Sequence, residues 1–207
     1  MRTIRNLFFL SLLCMAAWRL ELDREQLHPG THPSLGSVLS QVKVHINDVH
    51  AASGEDQIYF SPADNLEPID VHLIGEAQQR IDVAMYAFTD RAIAQALVRA
   101  AARGVQVRVY RDRSQFVEER ARRSQVQAVL STAPTIHIRV KGSDELMHEK
   151  AMLIDGNVLR DGSGNWSVSA ACYQDNQVSV THSSQQIEAF ARDFAAMWGR
   201  SDNLVVQ

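Results

Sequence analysis

Short apolar runs alternate with longer amphipathic stretches along most of this 207-residue chain. Runs such as 81–88 and 105–110 have the length and the β-branched content of buried strands, whereas the stretches between them repeat apolar residues at helical spacing. Gly104 stands where a glycine commonly ends a helix, directly after the amphipathic stretch 91–103. The pattern therefore predicts strands and helices in alternation.

The pattern predicts seven strands and four helices over residues 58–198. In chain order they are a strand at 58–60, a helix at 66–79, a strand at 81–88, a helix at 91–103, a strand at 105–110, a helix at 114–130, a strand at 136–140, two strands that carry polar motifs, a strand at 177–181 and a helix at 185–198. This order predicts an α/β fold, with a mixed and largely buried β-sheet sandwiched by helices.

The N-terminus predicts a signal peptide or membrane anchor at 1–20. Arg2 and Arg5 precede an apolar run at 7–18 that only Ser11 interrupts. The run is shorter than the roughly 20 residues that a helix needs to cross a bilayer, which favours a cleaved export signal and leaves an uncleaved anchor open. If the segment is removed, Cys172 is the only thiol, and an internal disulfide is excluded.

A polar arm or linker is predicted at 21–56, with one short strand at 42–46. Its four histidines lack cysteine partners and regular helical spacing, so a solvated arm is favoured over a metal site. They are His28, His32, His45 and His50. The main folded domain is then expected at 57–200 and a tail at 201–207. No metal or other cofactor is expected.

Charge is uneven although the net charge is only −3. Between residues 80 and 141 there are 12 basic and 5 acidic residues, and the densest basic cluster is 108–123. The cluster either contacts a polyanion or an anionic membrane surface, or is an ordinary solvated helix face. The predicted core positions of its helix are Phe116, Val117, Val126 and Val129.

Four aromatic side chains near the basic cluster or the motifs are candidates for stacking on bases, although packing in the core is favoured for each. They are Tyr110, Phe116, Trp166 and Tyr173. Cys172 is interpreted as a buried small apolar residue.

Two polar motifs, HxKxxxxD and GSxNxS, carry the candidate chemistry. On a strand, His148 and Lys150 project from one face; neutral imidazole can attack phosphorus while the ammonium holds non-bridging oxygens. Ser163 and Asn165 repeat this spacing on the next predicted strand and could stabilise a five-coordinate transition state. Asp155 either pairs with a cation or accepts a backbone N–H at the turn.

These paired motifs resemble the phospholipase D superfamily, specifically its small single-motif branch of bacterial periplasmic nucleases and their mitochondrial relatives. The resemblance extends over 57–200, through the segments 59–62, 81–89, 92–104 and 105–110. It implies the phospholipase D-like fold, a covalent phosphohistidine at His148 and a catalytic role for Lys150 and Asp155. Because HxK occurs once, it also implies a homodimer whose two copies of His148 meet at a two-fold axis.

The chain departs from the family pattern about eleven residues after the motif asparagine. The family usually has a glutamate there, whereas this chain has Asn176, with Asp175 beside it. Both are candidate supporting residues, and the departure affects how the histidine partner is oriented.

The function expected from the resemblance is metal-independent phosphodiester hydrolysis, by an exported endonuclease acting on DNA or RNA. Two alternatives remain open: a phospholipase D that removes phospholipid headgroups at a membrane, and a non-catalytic module that binds phosphate or nucleic acid. The expected location is the periplasm, either free or membrane-anchored and facing it.

Overall fold

An eight-stranded mixed sheet organises residues 55–207, the part of the chain that the computed structural model describes. The strands are β1 (Gln57–Ser61), β2 (Arg80–Met85), β3 (Gln106–Arg111), β4 (Ile136–Val140), β5 (Lys150–Ile154), β6 (Val158–Gly162), β7 (Asn176–Thr181) and β8 (Leu204–Val205). The helices are α1 (Leu66–Glu76), α2 (Arg91–Ala102), α3 (Arg113–Ala121), α4 (Val126–Leu130), α5 (Val168–Cys172) and α6 (Ser184–Trp198). The predicted leader at 1–20, the strand at 42–46 and the four arm histidines lie outside the described residues.

The sheet combines a parallel half and an antiparallel half, in the order β1-β7-β6-β5-β2-β3-β4-β8. β2, β3 and β4 are parallel, because helices connect them, and every other neighbouring pair is antiparallel. β2 is buried from its second residue onward, which explains why it is apolar except for Asp82 rather than alternating.

Helices cover both faces of the sheet. On one face, residues of α1, α2 and α4 pack on β2, β3 and β4 in the largest apolar cluster, which includes Ile81, Val83 and Val107. On the other face, Phe194 and Met197 of α6 pack against Ala84 and Tyr110. The predicted α/β fold is therefore confirmed.

Helix α2 illustrates how local signals fix an element. The carboxylate of Asp90 accepts the backbone N–H groups of Ala92 and Ile93, at 2.8 and 3.1 Å, and so caps the first turn. Gly104 follows the last turn with φ +94°, a conformation that glycine adopts without strain. The glycine signal in the sequence is confirmed here.

The predicted single helix 114–130 is wrong, because the chain turns between α3 and α4. Arg123 adopts φ 59°, and the Ser124 N–H donates to the carbonyl of Glu119. The buried side of α3 carries the carboxylate of Glu119 beside Phe116, whereas Val117 is 60% exposed. Val117 was thus wrongly assigned to the core, since a polar contact anchors this helix.

Two short elements carry no periodic signal and were missed. One is α5, whose first turn is capped by the Ser167 hydroxyl accepting the Ala170 N–H at 3.2 Å. The other is β8, which pairs antiparallel with β4. The side-chain amide of Gln207 also donates to the Ala133 carbonyl at 2.7 Å. The predicted tail at 201–207 therefore contains an edge strand of the sheet.

Candidate active site

His148 and Lys150 lie at the start of β5, and both side chains contact the Tyr86 ring. Their strand begins at Lys150, so His148 precedes it rather than lying within it as predicted. The imidazole and phenol ring centroids are 4.5 Å apart at an interplanar angle of 61°. Nζ of Lys150 is 5.0 Å from the Tyr86 ring centroid and donates to the carbonyl of His148. Tyr86 therefore holds the two side chains together, and the motif pattern gave no signal for it.

The two motif side chains differ in exposure. Lys150 is only 6% exposed, whereas His148 is exposed. Burial lowers the pKa of Lys150. No carboxylate within residues 55–207 forms an ion pair with this ammonium. A phosphate approaching His148 would therefore meet a cation that no neighbouring anion neutralises.

Glu149, between these two residues, is directed to helix α6. Burial raises its pKa to about 7, and a hydrogen bond with Asp193, together with the negative charge of Asp193, acts in the same direction. The Glu149 carbonyl also accepts the Tyr86 N–H at 2.9 Å. This residue thus connects the first motif to β2 and to α6.

Ser163 and Asn165 lie in the loop after β6, not on a strand as predicted. Oδ1 of Asn165 accepts the Ala87 N–H at 3.3 Å, next to the residue that contacts His148. The backbone carbonyl of the following residue, Trp166, accepts the N–H groups of Thr89 and Asp90 at 2.8 and 2.9 Å. The second motif is therefore brought against the same segment, 86–90, that the first motif contacts.

Close packing explains the glycines of the second motif. A Cβ on Gly162, whose φ is +148°, would lie 2.1 Å from the Gln177 carbonyl oxygen. A Cβ on Gly164 would lie 3.1 Å from Leu66 and 3.2 Å from Val178. Glycine at these positions lets the loop lie flat against β7 and α1.

Asn176 occupies the position where the family usually has glutamate, and it contacts Ser163. The Ser163 hydroxyl donates to Oδ1 of Asn176 at 2.9 Å, and Nδ2 of Asn176 donates to the Ala170 carbonyl at 3.0 Å. Asp175 is exposed. Of the two supporting candidates, Asn176 is therefore the one that touches the motif.

Asp155 lies at the opposite end of β5 from Lys150, roughly 16 Å along an extended strand. Its carboxylate accepts three backbone N–H groups, of Gln78, Gln79 and Arg80, at 2.8, 2.7 and 2.8 Å. Partial burial raises the pKa of Asp155, but these three hydrogen bonds outweigh that effect and lower it. Of the two alternatives for Asp155, the structure shows the backbone acceptor, and the predicted catalytic role stays a prediction.

A buried ion pair behind the motifs was missed by sequence reasoning. Arg160 of β6 is fully buried and pairs with Asp70 of α1 at 2.7 Å. The Trp166 indole N–H donates to the same carboxylate at 3.0 Å. An arginine within an apolar strand between two motifs was the available signal, since a buried guanidinium needs a partner.

Most arginines of the basic cluster 108–123 are engaged by the protein itself. Arg108 donates two hydrogen bonds to Asp82, at 2.6 and 2.8 Å. Arg111 is 1% exposed and pairs with Glu119 at 2.6 Å. Arg122 is exposed and pairs with a glutamate one turn earlier. The charge excess seen in the sequence is therefore partly structural.

A polar groove of about 390 Å³ begins beside the second motif. Thr89, whose N–H donates to Trp166, lines it together with Arg91 and Arg122. Glu118 and Glu119 also line the groove, so its two arginines are balanced by two carboxylates.

Core packing was the right interpretation for three of the four aromatic candidates. Tyr110, Phe116 and Trp166 are buried, whereas Tyr173 is 57% exposed. Cys172 is half-buried, and burial raises the pKa of its thiol.

Two features are absent from residues 55–207. No group of three or more His, Cys, Asp or Glu side chains lies close enough to hold a metal ion. No helix in this range is long and apolar enough to cross a bilayer.

Comparisons with known proteins agree on the family. A family model described as "Cardiolipin synthase, PLD-like domain" matches residues 71–198. A mitochondrial cardiolipin hydrolase of Xenopus tropicalis is 28% identical over 130 residues, 63% of this chain and 60% of the relative. A phospholipase D of Rickettsia conorii is 24% identical over 161 residues, 78% of each protein.

A solved structure shares the fold. The phospholipase D family member Nuc from Salmonella typhimurium superposes with a TM-score of 0.65, at 22% identity, over 74% of this chain and 98% of Nuc. The family model covers more than half of the chain, and the fold and the paired motifs agree with it. The protein therefore belongs to the phospholipase D superfamily.

Proposed function

We propose that the protein is a metal-independent phosphodiesterase that uses His148 as its nucleophile. The observation that carries this proposal is the exposed imidazole held beside a buried ammonium that no carboxylate of residues 55–207 neutralises. Lys150 would bind the non-bridging oxygens of the substrate. Ser163 and Asn165, on the facing loop, would stabilise the charge that develops in the transition state.

The reaction would proceed by double displacement. The lone pair of a neutral His148 forms a bond to phosphorus, and the bond from phosphorus to the leaving oxygen breaks. A second, protonated imidazole gives its proton to that oxygen. The second imidazole then takes a proton from water, which attacks phosphorus, and the bond between phosphorus and His148 breaks. Because one imidazole must be neutral and one protonated, the rate should be bell-shaped in pH.

The second imidazole is proposed to come from another copy of the chain, since HxK occurs once in the sequence. Apolar side chains close to both motifs in sequence support such a contact: Leu146 is 57% exposed, Val168 50% and Tyr173 57%. An isologous dimer would cover these side chains and place the two copies of His148 across one two-fold axis.

Nucleic acid is the first proposed substrate. Its support is the excess of 12 basic over 5 acidic residues between positions 80 and 141, from which Arg91 reaches a groove next to Thr89. Phospholipid is the second candidate. It is favoured by the similarity to proteins named cardiolipin hydrolase and phospholipase D, although the chain spans only about 60% of the length of the first cardiolipin hydrolases it matches. The activity and the substrate of this protein are therefore proposed here and are not taken over from those relatives.

Export to the periplasm, with the leader either cleaved or kept as an anchor, completes the proposal. Its support is the pair of arginines before the apolar run at 7–18.

The test is a parallel assay of the full-length protein and the His148→Ala variant in EDTA. Labelled single- and double-stranded DNA and RNA are one set of substrates, and cardiolipin or phosphatidylcholine vesicles are the other. Nucleic-acid cleavage that disappears in the variant supports the nuclease. Lipid hydrolysis with intact nucleic acid supports the phospholipase. Tight nucleic-acid binding without turnover supports the non-catalytic module.

A further inference from the structure

Arg160 forms hydrogen bonds with the backbone of both motifs. Nη1 of Arg160 donates to the carbonyl of Lys150 at 2.8 Å, and Nη2 donates to the carbonyl of Gly164 at 3.2 Å. The first carbonyl belongs to the motif lysine, and the second lies between Ser163 and Asn165. One planar guanidinium therefore spans the backbone of both motifs.

Asp70 fixes the orientation of that guanidinium. Nε and Nη2 of Arg160 donate to its two carboxylate oxygens at 2.7 and 3.0 Å, so the ion pair is bidentate. Both residues are buried, Arg160 completely and Asp70 to 2% exposure. A bidentate pair leaves the guanidinium little freedom to rotate, and the directions of its three remaining N–H donors are then set.

The same carboxylate also holds the far end of the second motif. It accepts the Trp166 indole N–H at 3.0 Å, and the Trp166 backbone N–H donates to the Ala87 carbonyl at 3.1 Å. The indole ring packs edge-on against Phe88, with centroids 4.8 Å apart. Asp70 thus links Arg160 to the loop that carries Ser163 and Asn165.

We propose that Asp70 and Arg160 are positioning residues, which set the distance between the Lys150 ammonium and the donors of Ser163 and Asn165 around the phosphoryl group. This inference rests on the proposed function of the site. A buried salt bridge is by itself weak evidence of a stabilising role. This one is connected to both motifs through backbone carbonyls, which a pair of apolar side chains could not replace.

The chain offers a matched control in the pair of Arg108 and Asp82. It too is a bidentate pair, with bonds of 2.6 and 2.8 Å. It lies on β3 and β2, where Asp82 stands opposite Leu153, three residues along β5 from Lys150. The guanidinium of Arg108 lies over the Phe194 ring and contacts neither motif.

The experiment compares Arg160→Lys with Arg108→Lys in the full-length protein. A small chromogenic diester, bis(4-nitrophenyl) phosphate, serves as substrate because it tests the chemistry rather than the docking of a long polymer. Lysine keeps the charge but cannot reach Asp70 and both carbonyls together. We expect kcat to fall about 30- to 100-fold in Arg160→Lys, with KM within about threefold of wild type, because small misplacements of catalytic groups have effects of this size. In Arg108→Lys, kcat should stay within about twofold of wild type.

Thermal unfolding of each variant sets the assay temperature, so that both proteins are compared fully folded. Equal decreases in kcat for the two variants would overturn the proposal, since a merely structural pair would show no difference. If Arg160→Lys does not fold, the double variant Arg160→Met with Asp70→Asn replaces the buried charges with neutral groups, and Arg108→Met with Asp82→Asn is its control.

A measurement of phosphate binding tests the positioning role independently of the proposed function. Affinity for inorganic phosphate is measured by NMR from the chemical shifts of the His148 imidazole. If the wild type cleaves neither the diester nor nucleic acid nor lipid vesicles, the proposed function fails. The positioning role then stands if Arg160→Lys weakens phosphate binding about tenfold or more while Arg108→Lys leaves it unchanged, and it falls if the two variants bind phosphate alike.

Discussion

The two ends of β5 carry residues of one sequence motif, but their side chains do different things. At the first end, His148 is exposed and Lys150 is buried beside Tyr86, with no protein carboxylate of residues 55–207 paired to the ammonium. At the other end, every interaction of the Asp155 carboxylate described above is with backbone N–H groups of Gln78, Gln79 and Arg80. The first end carries the groups proposed to bind a phosphate, whereas the carboxylate at the other end binds the backbone of the same chain.

The hydrogen bonds at the Asp155 end of β5 help to set the geometry at the His148 end. The bonds to Asp155 fix the start of β2 next to the end of β5, and the antiparallel register then places Met85 opposite Lys150. Tyr86 follows at once and meets His148. A register slip of one residue would turn the side chains to the opposite face, so the aspartate contributes to the site through pairing rather than chemistry.

The largest effect on activity is expected for His148→Ala. Because this variant lacks the proposed nucleophile, turnover of a phosphodiester should fall by about four orders of magnitude or more. The side chain is exposed, so the melting temperature should change little. Rapid quench after a short reaction with labelled substrate should also show phosphate attached to wild type and none to the variant. Near-full turnover by the variant would remove this end of β5 from the mechanism.

Lys150→Met should have the next largest effect. Methionine fills a similar volume beside Tyr86 but provides no charge for the phosphoryl oxygens, so kcat should fall about 10²- to 10³-fold. Steady-state kinetics and phosphate titration together measure this loss. An active Lys150→Met protein would mean that the buried ammonium has a structural role only.

Asn176→Ala should have a smaller effect, about tenfold on kcat, because the Ser163 hydroxyl loses its acceptor. Asp175→Ala is the matched control and should leave kcat unchanged, since Asp175 is exposed. Kinetics of the two variants with the same substrate decide which residue replaces the usual glutamate. The reverse ranking would assign that role to Asp175.

Asp155→Asn should have the smallest effect on turnover and the largest on stability among these changes. We expect a loss of about 1–3 kcal/mol in the free energy of unfolding, because hydrogen bonds to a charged acceptor are weakened. At a temperature where the variant is folded, kcat should stay within about twofold of wild type. A decrease beyond about tenfold would mean that the two ends of β5 are not separate in function.

Acid unfolding gives a second measure of Asp155. Its pKa is lowered from the ordinary value of 3.8, so the ionised form favours the folded state. That contribution to stability is fully present above the ordinary pKa and is lost as the pH falls through the lower, folded-state pKa. Urea unfolding from pH 6 to pH 2 should show this loss in wild type, whereas the contribution should be absent from Asp155→Asn.

The sequence indicated the candidate motif residues but not the buried side chains that contact the motif backbone. His148, Lys150, Ser163 and Asn165 could be proposed from spacing alone, because residue types that bind phosphate recur at short, fixed intervals. Arg160 and Asp70 were not found, since their pairing joins positions 90 residues apart. Nothing local in either segment indicates that contact.

The sequence by itself determined the alternation of elements, the α/β class and the two motifs, because hydrophobic periodicity and local residue chemistry act over a few residues. Only the tertiary structure decided which of two roles Asp155 takes, that the chain turns at Arg123, and that residues 204–205 complete the sheet edge. It also decided that one guanidinium joins both motifs. These outcomes depend on which distant backbone groups come together when the sheet forms, and that is a property of long-range packing.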